Sequence, residues 1–155
     1  MKFKRYIYKK KNDQEILEHS HNFMQLMLNR RSIRDFSSKK VSDKVIENIL
    51  KTAISSPSGA NKQPWSFVVV KSKALKKKIR IAAEQEEKKF YKQRATDEWL
   101  DDLNKFGTSW EKPFLEEAPA LIIIFRQSYD NSGSKKRKNY YVNESVGIAS
   151  GFLLT

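Results

Sequence analysis

Hydrophobic side chains recur at helical spacing in two segments of the N-terminal part of the chain. Between residues 15 and 29 they fall roughly three or four positions apart, which predicts an amphipathic helix. A second helix follows Ser42, whose hydroxyl can cap its first turn, and ends at residues 56–59, where proline and glycine force a turn. Its apolar positions form two adjacent rows with i, i+4 spacing: Val45, Ile49 and Ala53, and Ile46, Leu50 and Ile54.

Two other segments have the composition of buried β-strands. Residues 65–71 and 120–126 are rich in β-branched and aromatic side chains. The first segment is followed by Ser72, which can cap a long charged helix over residues 74–94. The inward face of this helix is predicted to consist of Leu75, Ile79 and Ala83.

The remainder of the chain alternates between helices and loops. We expect a helical piece and a loop over residues 97–114, and a polar loop over residues 131–138 with Gly133 at its turn. A helix of small residues is expected from 142 to 155. The chain is therefore divided into a basic arm, residues 1–12, and one domain, residues 13–155.

The last predicted helix ends differently from an ordinary helix terminus. Residues 152–154 are apolar, and neither a glycine stop nor a basic last turn is present. An isolated two-stranded sheet is marginally stable at best. We therefore expect the domain to be incomplete at its C-terminus, with the missing part beyond Thr155 or supplied by a partner chain. A frayed terminus is the alternative.

Composition restricts the class of protein. The chain contains no cysteine, which excludes disulfides, thiolate metal sites and thiol nucleophiles. The longest apolar run, residues 120–125, is far shorter than the roughly 20 residues of a membrane-spanning helix. No secretory signal is expected, because no apolar stretch follows the N-terminal lysines. These features favour a cytoplasmic protein without a membrane partner.

The net charge has two interpretations. The chain carries 31 basic and 18 acidic residues, a formal net charge of +13. The lysines between residues 73 and 92 can simply coat solvated helix faces, or the excess charge can attract anions such as phosphorylated cofactors and nucleic acids. Because no groove-reading or base-stacking motif is present, we expect no nucleic-acid partner.

Two segments contain groups suited to an anionic ligand. Residues 30–34 include three arginines and a serine, and guanidinium groups bind phosphate oxygens bidentately. In the loop at residues 57–61, Gly59 allows the backbone to approach a ligand closely. An ordinary surface cluster and a simple helix-to-strand turn are the alternatives for these two segments.

The same two segments resemble the nitroreductase family of FMN enzymes. The similar sequences are RRSIRDFS at residues 30–37 and PSGANKQPWSFVVV at residues 57–70. Three further segments resemble the iodotyrosine deiodinase branch of that family: EQEEKKFY at 84–91, WLDDLNKFGTSWEKPFL at 99–115 and NYYVNESVGIASGFLL at 139–154. The resemblance implies an α+β, nitroreductase-like fold, in which helices flank a central β-sheet and of which the C-terminal part is missing here. It also implies FMN as cofactor, NAD(P)H as electron donor and a homodimer.

The resemblance also implies where the cofactor binds. The residues that it assigns to the FMN phosphate and ribityl chain are Arg30, Arg31, Ser32, Ile33 and Arg34. It places Ser58 and Gly59 against the flavin across a dimer interface, and it assigns the Ala60 backbone N–H to a substrate phenolate. It supplies no catalytic side chain, since the redox chemistry belongs to the cofactor.

Three residues are implied to bind the amino-acid end of a substrate. Glu87 can pair with an α-ammonium group and Lys112 with an α-carboxylate, while Tyr91 can donate a hydrogen bond or stack. Glu87 and Tyr91 are four positions apart, so one helix face presents both. The alternative is that Glu87 and Lys112 are surface charges and that Tyr91 is a packing residue.

The resemblance implies reductive dehalogenation of halogenated tyrosines. A broad-specificity NAD(P)H nitroreductase that acts on nitroaromatics and a non-catalytic truncated homologue are the alternatives. His19 and His21 are predicted to be exposed and not to form a metal site, because neither has a ligand partner at suitable spacing.

Overall fold

The computed structural model describes residues 5–130 and 136–155, and those ranges contain six α-helices and four strands. The helices are α1 (Asp13–Asn29), α2 (Asp43–Ile54), α3 (Lys73–Lys89), α4 (Asp97–Lys105), α5 (Phe114–Glu117) and α6 (Val142–Leu154). The strands are β1 (Trp65–Val70), β2 (Leu121–Arg126), β3 (Tyr129–Asp130) and β4 (Arg137–Lys138). A 3₁₀ turn (Gly59–Asn61) precedes β1, and a π-helical turn (Phe90–Arg94) extends α3.

The predicted helices and the α+β class are confirmed. Ser42 caps α2 by accepting a hydrogen bond from the Val45 N–H, and Ser72 caps α3 by accepting one from Leu75. The exposure predicted for His19 and His21 is also confirmed. Residues 5–12 lie outside any helix or strand. Part of the polar loop, including the turn predicted at Gly133, lies outside the described residues.

The two predicted strands are confirmed, but they are less buried than expected. β1 and β2 pair antiparallel, with Trp65 opposite Arg126 and Val70 opposite Leu121. Both ends of β1 are buried, whereas Val68 is 43% exposed and β2 is nowhere fully buried. Among the described residues these two strands have no further neighbour in their sheet, so each keeps one open edge.

The prediction for the inward face of α3 is partly wrong. Leu75 is 46% exposed, while Ile79 and Ala83 are half-buried as expected. The neighbouring Lys76 is buried instead, and its ammonium group donates to the backbone carbonyls of Glu116 and Ala118. Hydrogen bonds to these carbonyls offset the cost of desolvating the charge, which a pattern of apolar residues cannot reveal.

Helices α2 and α6 pack closely against each other. Ala53 of α2 and Ala149 of α6 are fully buried, because small side chains let the two helices approach closely. Ser145, on α6, is also buried.

The chain divides into two compact units, a smaller one that contains α1 and a larger one, Ile33–Leu154, that contains the other elements. Within the described part of the chain, no helix is both long and apolar enough to cross a membrane.

Candidate functional site

A cavity of about 490 Å³ in the larger unit contains four of the residues predicted to bind cofactor or substrate. It lies between the end of α3, the π-helical turn, α4 and the loop before α5. The predicted residues in its wall are Arg34, Glu87, Tyr91 and Lys112. The other residues in its wall are Phe90, Trp99, Leu103, Thr108 and Phe114. The site thus combines an apolar, aromatic wall with a few charged groups, as is usual for small-molecule sites.

Glu87 and Lys112 form an ion pair inside this cavity. The Lys112 Nζ atom lies 3.1 Å from the Glu87 Oε2 atom, and the two side chains are 19% and 38% exposed, respectively. The same ammonium group donates to the carbonyl of Ser109. An anion and a cation separated by 25 positions in the sequence are therefore held side by side.

A change in helix geometry positions Tyr91. After Lys89 the helix widens into the π-helical turn, where the Ala95 N–H donates to the Phe90 carbonyl five residues earlier. Short π-helical segments are rare and often occur at functional sites. Arg94 stabilises the turn by donating to the Glu86 carboxylate over 2.6 Å, and this hydrogen bond is the main cause that lowers the pKa of Glu86.

Aromatic side chains support the same wall. The Phe90 ring contacts Tyr91 and Trp99 edge to face, at centroid distances of 5.8 and 4.9 Å. These geometries are the ones that aromatic rings favour. Trp110, in the loop that carries Lys112, lies under the Lys88 ammonium group, 3.6 Å from its ring centroid. Phe90 and Trp99 both line the cavity, so their contact supports its aromatic side.

The turn at Ser58–Ala60 lies against the start of α6, and it is not part of the wall of this cavity. The Gly59 N–H faces the Ser145 hydroxyl at 3.4 Å, and a Cβ atom on Gly59 would come within 3.0 Å of the Tyr141 ring. Ala60 has a positive φ of 46°, which is uncommon for a residue other than glycine. Within residues 5–130 and 136–155, the Ala60 N–H donates to no protein acceptor.

The arginine cluster is divided between the two units. Arg30, Arg31 and Ser32 belong to the smaller unit and are exposed, and the Arg31 guanidinium donates to the carbonyls of Leu28 and Arg30. Ile33 and Arg34 belong to the larger unit. There Arg34 lies in the wall of the Glu87 cavity, whereas Ile33 lines a separate apolar cavity of about 400 Å³.

The structure adds residues that the sequence analysis did not select. Glu84 accepts a hydrogen bond from the Lys112 backbone N–H, and Arg80 donates to the Glu116 carboxylate. Tyr141 and Ser145 contact the Gly59 turn. Arg80 and Glu84 are four positions apart on α3, a spacing that could have indicated an ion pair. No local pattern indicates the contacts with Gly59, since about 80 residues separate the partners.

Comparisons with known proteins identify the family. A family model described as "Nitroreductase family" matches residues 27–155. An iodotyrosine deiodinase from Haliscomenobacter hydrossis is 55% identical over 142 residues, which are 91% of this chain and 64% of that protein. Human iodotyrosine deiodinase 1 is 43% identical over 143 residues, which are 92% of this chain and 50% of that protein. The chain thus spans about half to somewhat under two thirds of the length of these relatives.

Solved structures show the same relationship. A crystal structure of oxidized iodotyrosine deiodinase bound to FMN and 3-iodo-L-tyrosine matches with a TM-score of 0.72 and 35% identity, over 84% of this chain and 66% of that one. An FMN-dependent nitroreductase from Clostridium difficile matches with a TM-score of 0.57 and 28% identity, over 86% of this chain and 54% of that one. The fold is therefore nitroreductase-like, and the chain belongs to the nitroreductase family, with iodotyrosine deiodinases among its relatives.

Proposed function

We propose that this chain is the FMN-binding and substrate-covering part of an oxidoreductase that removes halogen from halogenated tyrosines. The observation that carries the proposal is the Glu87–Lys112 ion pair, which shares one cavity with Tyr91 and Arg34. A simple nitroaromatic substrate carries no charged groups that could bind both the Lys112 ammonium group and the Glu87 carboxylate, which lie 3.1 Å apart. An amino acid has a carboxylate for Lys112 and an ammonium group for Glu87.

The charges of Glu87 and Lys112 match the amino-acid end of a halotyrosine. Glu87 contributes one negative charge and Lys112 one positive charge. The zwitterionic end of the substrate brings one charge of each sign. Glu87 would bind the α-ammonium group and Lys112 the α-carboxylate. Each side chain would then exchange its ion pair with the other side chain for an ion pair with the substrate.

The donor groups of the chain fit FMN. Two arginines and a serine at Arg30, Arg31 and Ser32 suit its phosphate, because guanidinium groups and hydroxyls bind phosphate oxygens. Gly59 lets the turn pack closely against the Tyr141 ring, since a side chain there would occupy space already taken by that ring. We assign Ile33, Arg34 and Ser58 to the same cofactor site, in accordance with the resemblance.

The reaction replaces a carbon–halogen bond with a carbon–hydrogen bond, consumes two electrons and one proton, and releases a halide ion. Bound FMN would supply the electrons, and we propose NAD(P)H as their source. The contribution of the chain is to orient the substrate and to stabilise its charge. The Ala60 N–H is available for this purpose, because a hydrogen bond from it to the phenolate would favour the anionic form.

We also propose that the protein acts as a homodimer in the cytoplasm. The apolar face of α1 supports the dimer, because Leu17 and Phe23 are 63% and 59% exposed.

The test compares two ligands that differ only in the amino-acid end. The 155-residue chain is supplied with excess FMN, and its affinities for 3-iodo-L-tyrosine and 2-iodophenol are measured by calorimetry. Glu87→Gln and Lys112→Met should each weaken iodotyrosine binding by about 10- to 100-fold, because each removes a charged partner worth about 1.5–3 kcal/mol. Binding of 2-iodophenol should change little. Lys105→Met, which alters an exposed lysine on α4, is the matched control.

Two outcomes would refute the proposal. If the chain reduces nitroaromatics and its ligand affinities do not respond to Glu87→Gln or Lys112→Met, it is a nitroreductase of broad specificity. If it binds neither FMN nor iodotyrosine at saturating concentrations, it is a non-catalytic homologue.

A further inference from the structure

Glu84 connects α3 to the segment that carries Lys112. Its side chain is 13% exposed, and both of its oxygens accept hydrogen bonds. The Lys112 backbone N–H donates to Oε1 over 2.9 Å, and the Arg80 guanidinium donates to Oε2 over 2.8 Å. Arg80 in turn donates to the Glu116 carboxylate over 2.8 Å. The segment from Lys112 to Glu116 is therefore bound to α3 at both ends.

This connection matters because the segment has little structure of its own. Residues 106–113 lie between α4 and α5, outside any helix or strand, so no ladder of backbone hydrogen bonds holds them. The other hydrogen bonds of this stretch are local, and they include those from Thr108 to Leu103, from Glu111 to Ser109 and from Lys112 to Ser109. Together with the stacking of Lys88 on Trp110 and the Lys112–Glu87 ion pair, the bond to Glu84 ties this loop to α3, and it is the contact that holds the loop backbone.

The position of the Lys112 backbone decides where its ammonium group can reach. A lysine side chain is long and flexible, so its charge is localised only when its Cα atom and the partner of its ammonium group are both fixed. Glu84 and Glu87 supply these two fixed points from consecutive turns of the same helix. Movement of the loop away from α3 would therefore open the 3.1 Å pair without any change to Glu87 or Lys112 themselves.

We propose that Glu84 is a positioning residue, which fixes the Lys112 backbone so that the ammonium group stands opposite Glu87 and can bind the carboxylate of an amino-acid substrate. This inference rests on the proposed function. A carboxylate is required because both oxygens accept, one from Lys112 and one from Arg80. The amide of glutamine would turn an N–H towards one of these two donors and lose that hydrogen bond.

The first measurement is the ratio of the affinities for 3-iodo-L-tyrosine and 2-iodophenol in the FMN-supplied chain. Glu84→Gln should lower the affinity for iodotyrosine about tenfold, the effect of one lost charged hydrogen bond, and leave 2-iodophenol binding unchanged. In a Lys112→Met background the same substitution should have no further effect, because the group that Glu84 positions is already absent. Glu47→Gln is the matched control, since Glu47 pairs with the two cations Lys44 and Lys51 on α2.

The second measurement needs neither flavin nor substrate. The Lys112 N–H, and after it the Arg80 guanidinium, lower the pKa of Glu84 below the usual glutamate range, against the opposing effect of desolvation. The NMR signal of the Lys112 amide should therefore change as the pH falls through this lowered pKa. It should lose that dependence in Glu84→Gln and keep it in Glu47→Gln.

The two measurements separate the possible failures. If the Lys112 amide does not respond to Glu84→Gln, the connection does not exist in solution and the inference is wrong. If the amide responds and Lys112→Met changes the affinity ratio but Glu84→Gln does not, Glu84 is only structural, and the inference is again wrong. If Lys112→Met leaves the ratio unchanged, the proposed recognition of the zwitterion fails, and the role of Glu84 fails with it.

Discussion

The turn before β1 has an unusual concentration of left-handed residues. Ala60, Asn61 and Gln63 have φ values of 46°, 52° and 46°, and Tyr141, which packs on the turn, has a φ of 51°. Each such conformation costs on the order of 1 kcal/mol for an ordinary residue, and strained residues of this kind cluster at ligand-binding sites. The strain at Ala60 accompanies a backbone N–H that has no protein acceptor within the described ranges, which is consistent with a ligand-binding role.

Gly59→Ala tests how tightly this turn is packed. The added Cβ would lie 3.0 Å from the Tyr141 ring, so the substitution should lower the free energy of unfolding by about 1–2 kcal/mol, as overpacking does elsewhere. Gly147→Ala is the control, because that glycine lies in α6 with open space around it and should gain about 0.5–1 kcal/mol in helix propensity. Denaturant titration measures the free energy of unfolding of both variants. The clash is disproved if Gly59→Ala lowers the free energy of unfolding as much in a Tyr141→Gly background as in the unaltered chain.

At the level of elements, α3 organises the candidate site. Its first residues are fixed by the Ser72 cap, and Lys76 binds the carbonyls before β2. Arg80 binds the Glu116 carboxylate of α5, and Glu84 binds the backbone of the loop from α4 to α5. Its last turn carries Glu87, and the π-helical turn presents Tyr91. A single helix therefore sets the relative positions of groups that are far apart in the sequence.

Removal of the Ser72 cap should weaken this helix without changing the site itself. Ser72→Ala leaves the Leu75 N–H without its side-chain acceptor and should lower the free energy of unfolding by about 1 kcal/mol. Ser72→Asp should retain most of the stability, since aspartate caps equally well. Ser20→Ala is the control, because Ser20 lies within α1 and alanine is the better helix former there. If chemical denaturation shows that Ser72→Ala and Ser72→Asp lower the free energy of unfolding equally, Ser72 does not act as a cap.

At the level of the whole molecule, the chain leaves much apolar surface exposed. The apolar face of α1 is the clearest case, because no residue of this helix is buried. Six large apolar side chains of this helix are exposed: Ile16, Leu17, Phe23, Met24, Leu26 and Leu28. Continuous apolar surface of this kind is typical of contact surfaces between subunits. It supports the proposed homodimer.

Phe23→Glu should separate the subunits if α1 lies in the dimer interface. A carboxylate within an apolar interface loses its hydration without gaining a partner, so the variant should sediment as a monomer at concentrations at which the unaltered chain is a dimer. Gln25→Glu adds the same charge on the polar side of α1 and should remain dimeric. Sedimentation velocity distinguishes the two species. A dimer that tolerates Phe23→Glu would exclude this face from the interface.

Local sequence rules account for most of the secondary structure. The capping serines at Ser42 and Ser72, the proline and glycine after α2, and the two β-branched segments act over a few neighbouring residues, so their consequences can be derived without tertiary contacts. The same rules failed at Leu75 and Lys76, where distant carbonyls from Glu116 and Ala118 decided which side chain is buried.

The sequence by itself determined the α+β class, the family resemblance and the identity of the charged residues, because these depend on residue type and spacing. Only the tertiary structure decided that Glu87 and Lys112 pair, that Arg34 shares their cavity and that Glu84 holds the Lys112 backbone. Hydrogen bonds and ion pairs act over about 3 Å, and spacing along the chain does not specify which distant groups come that close.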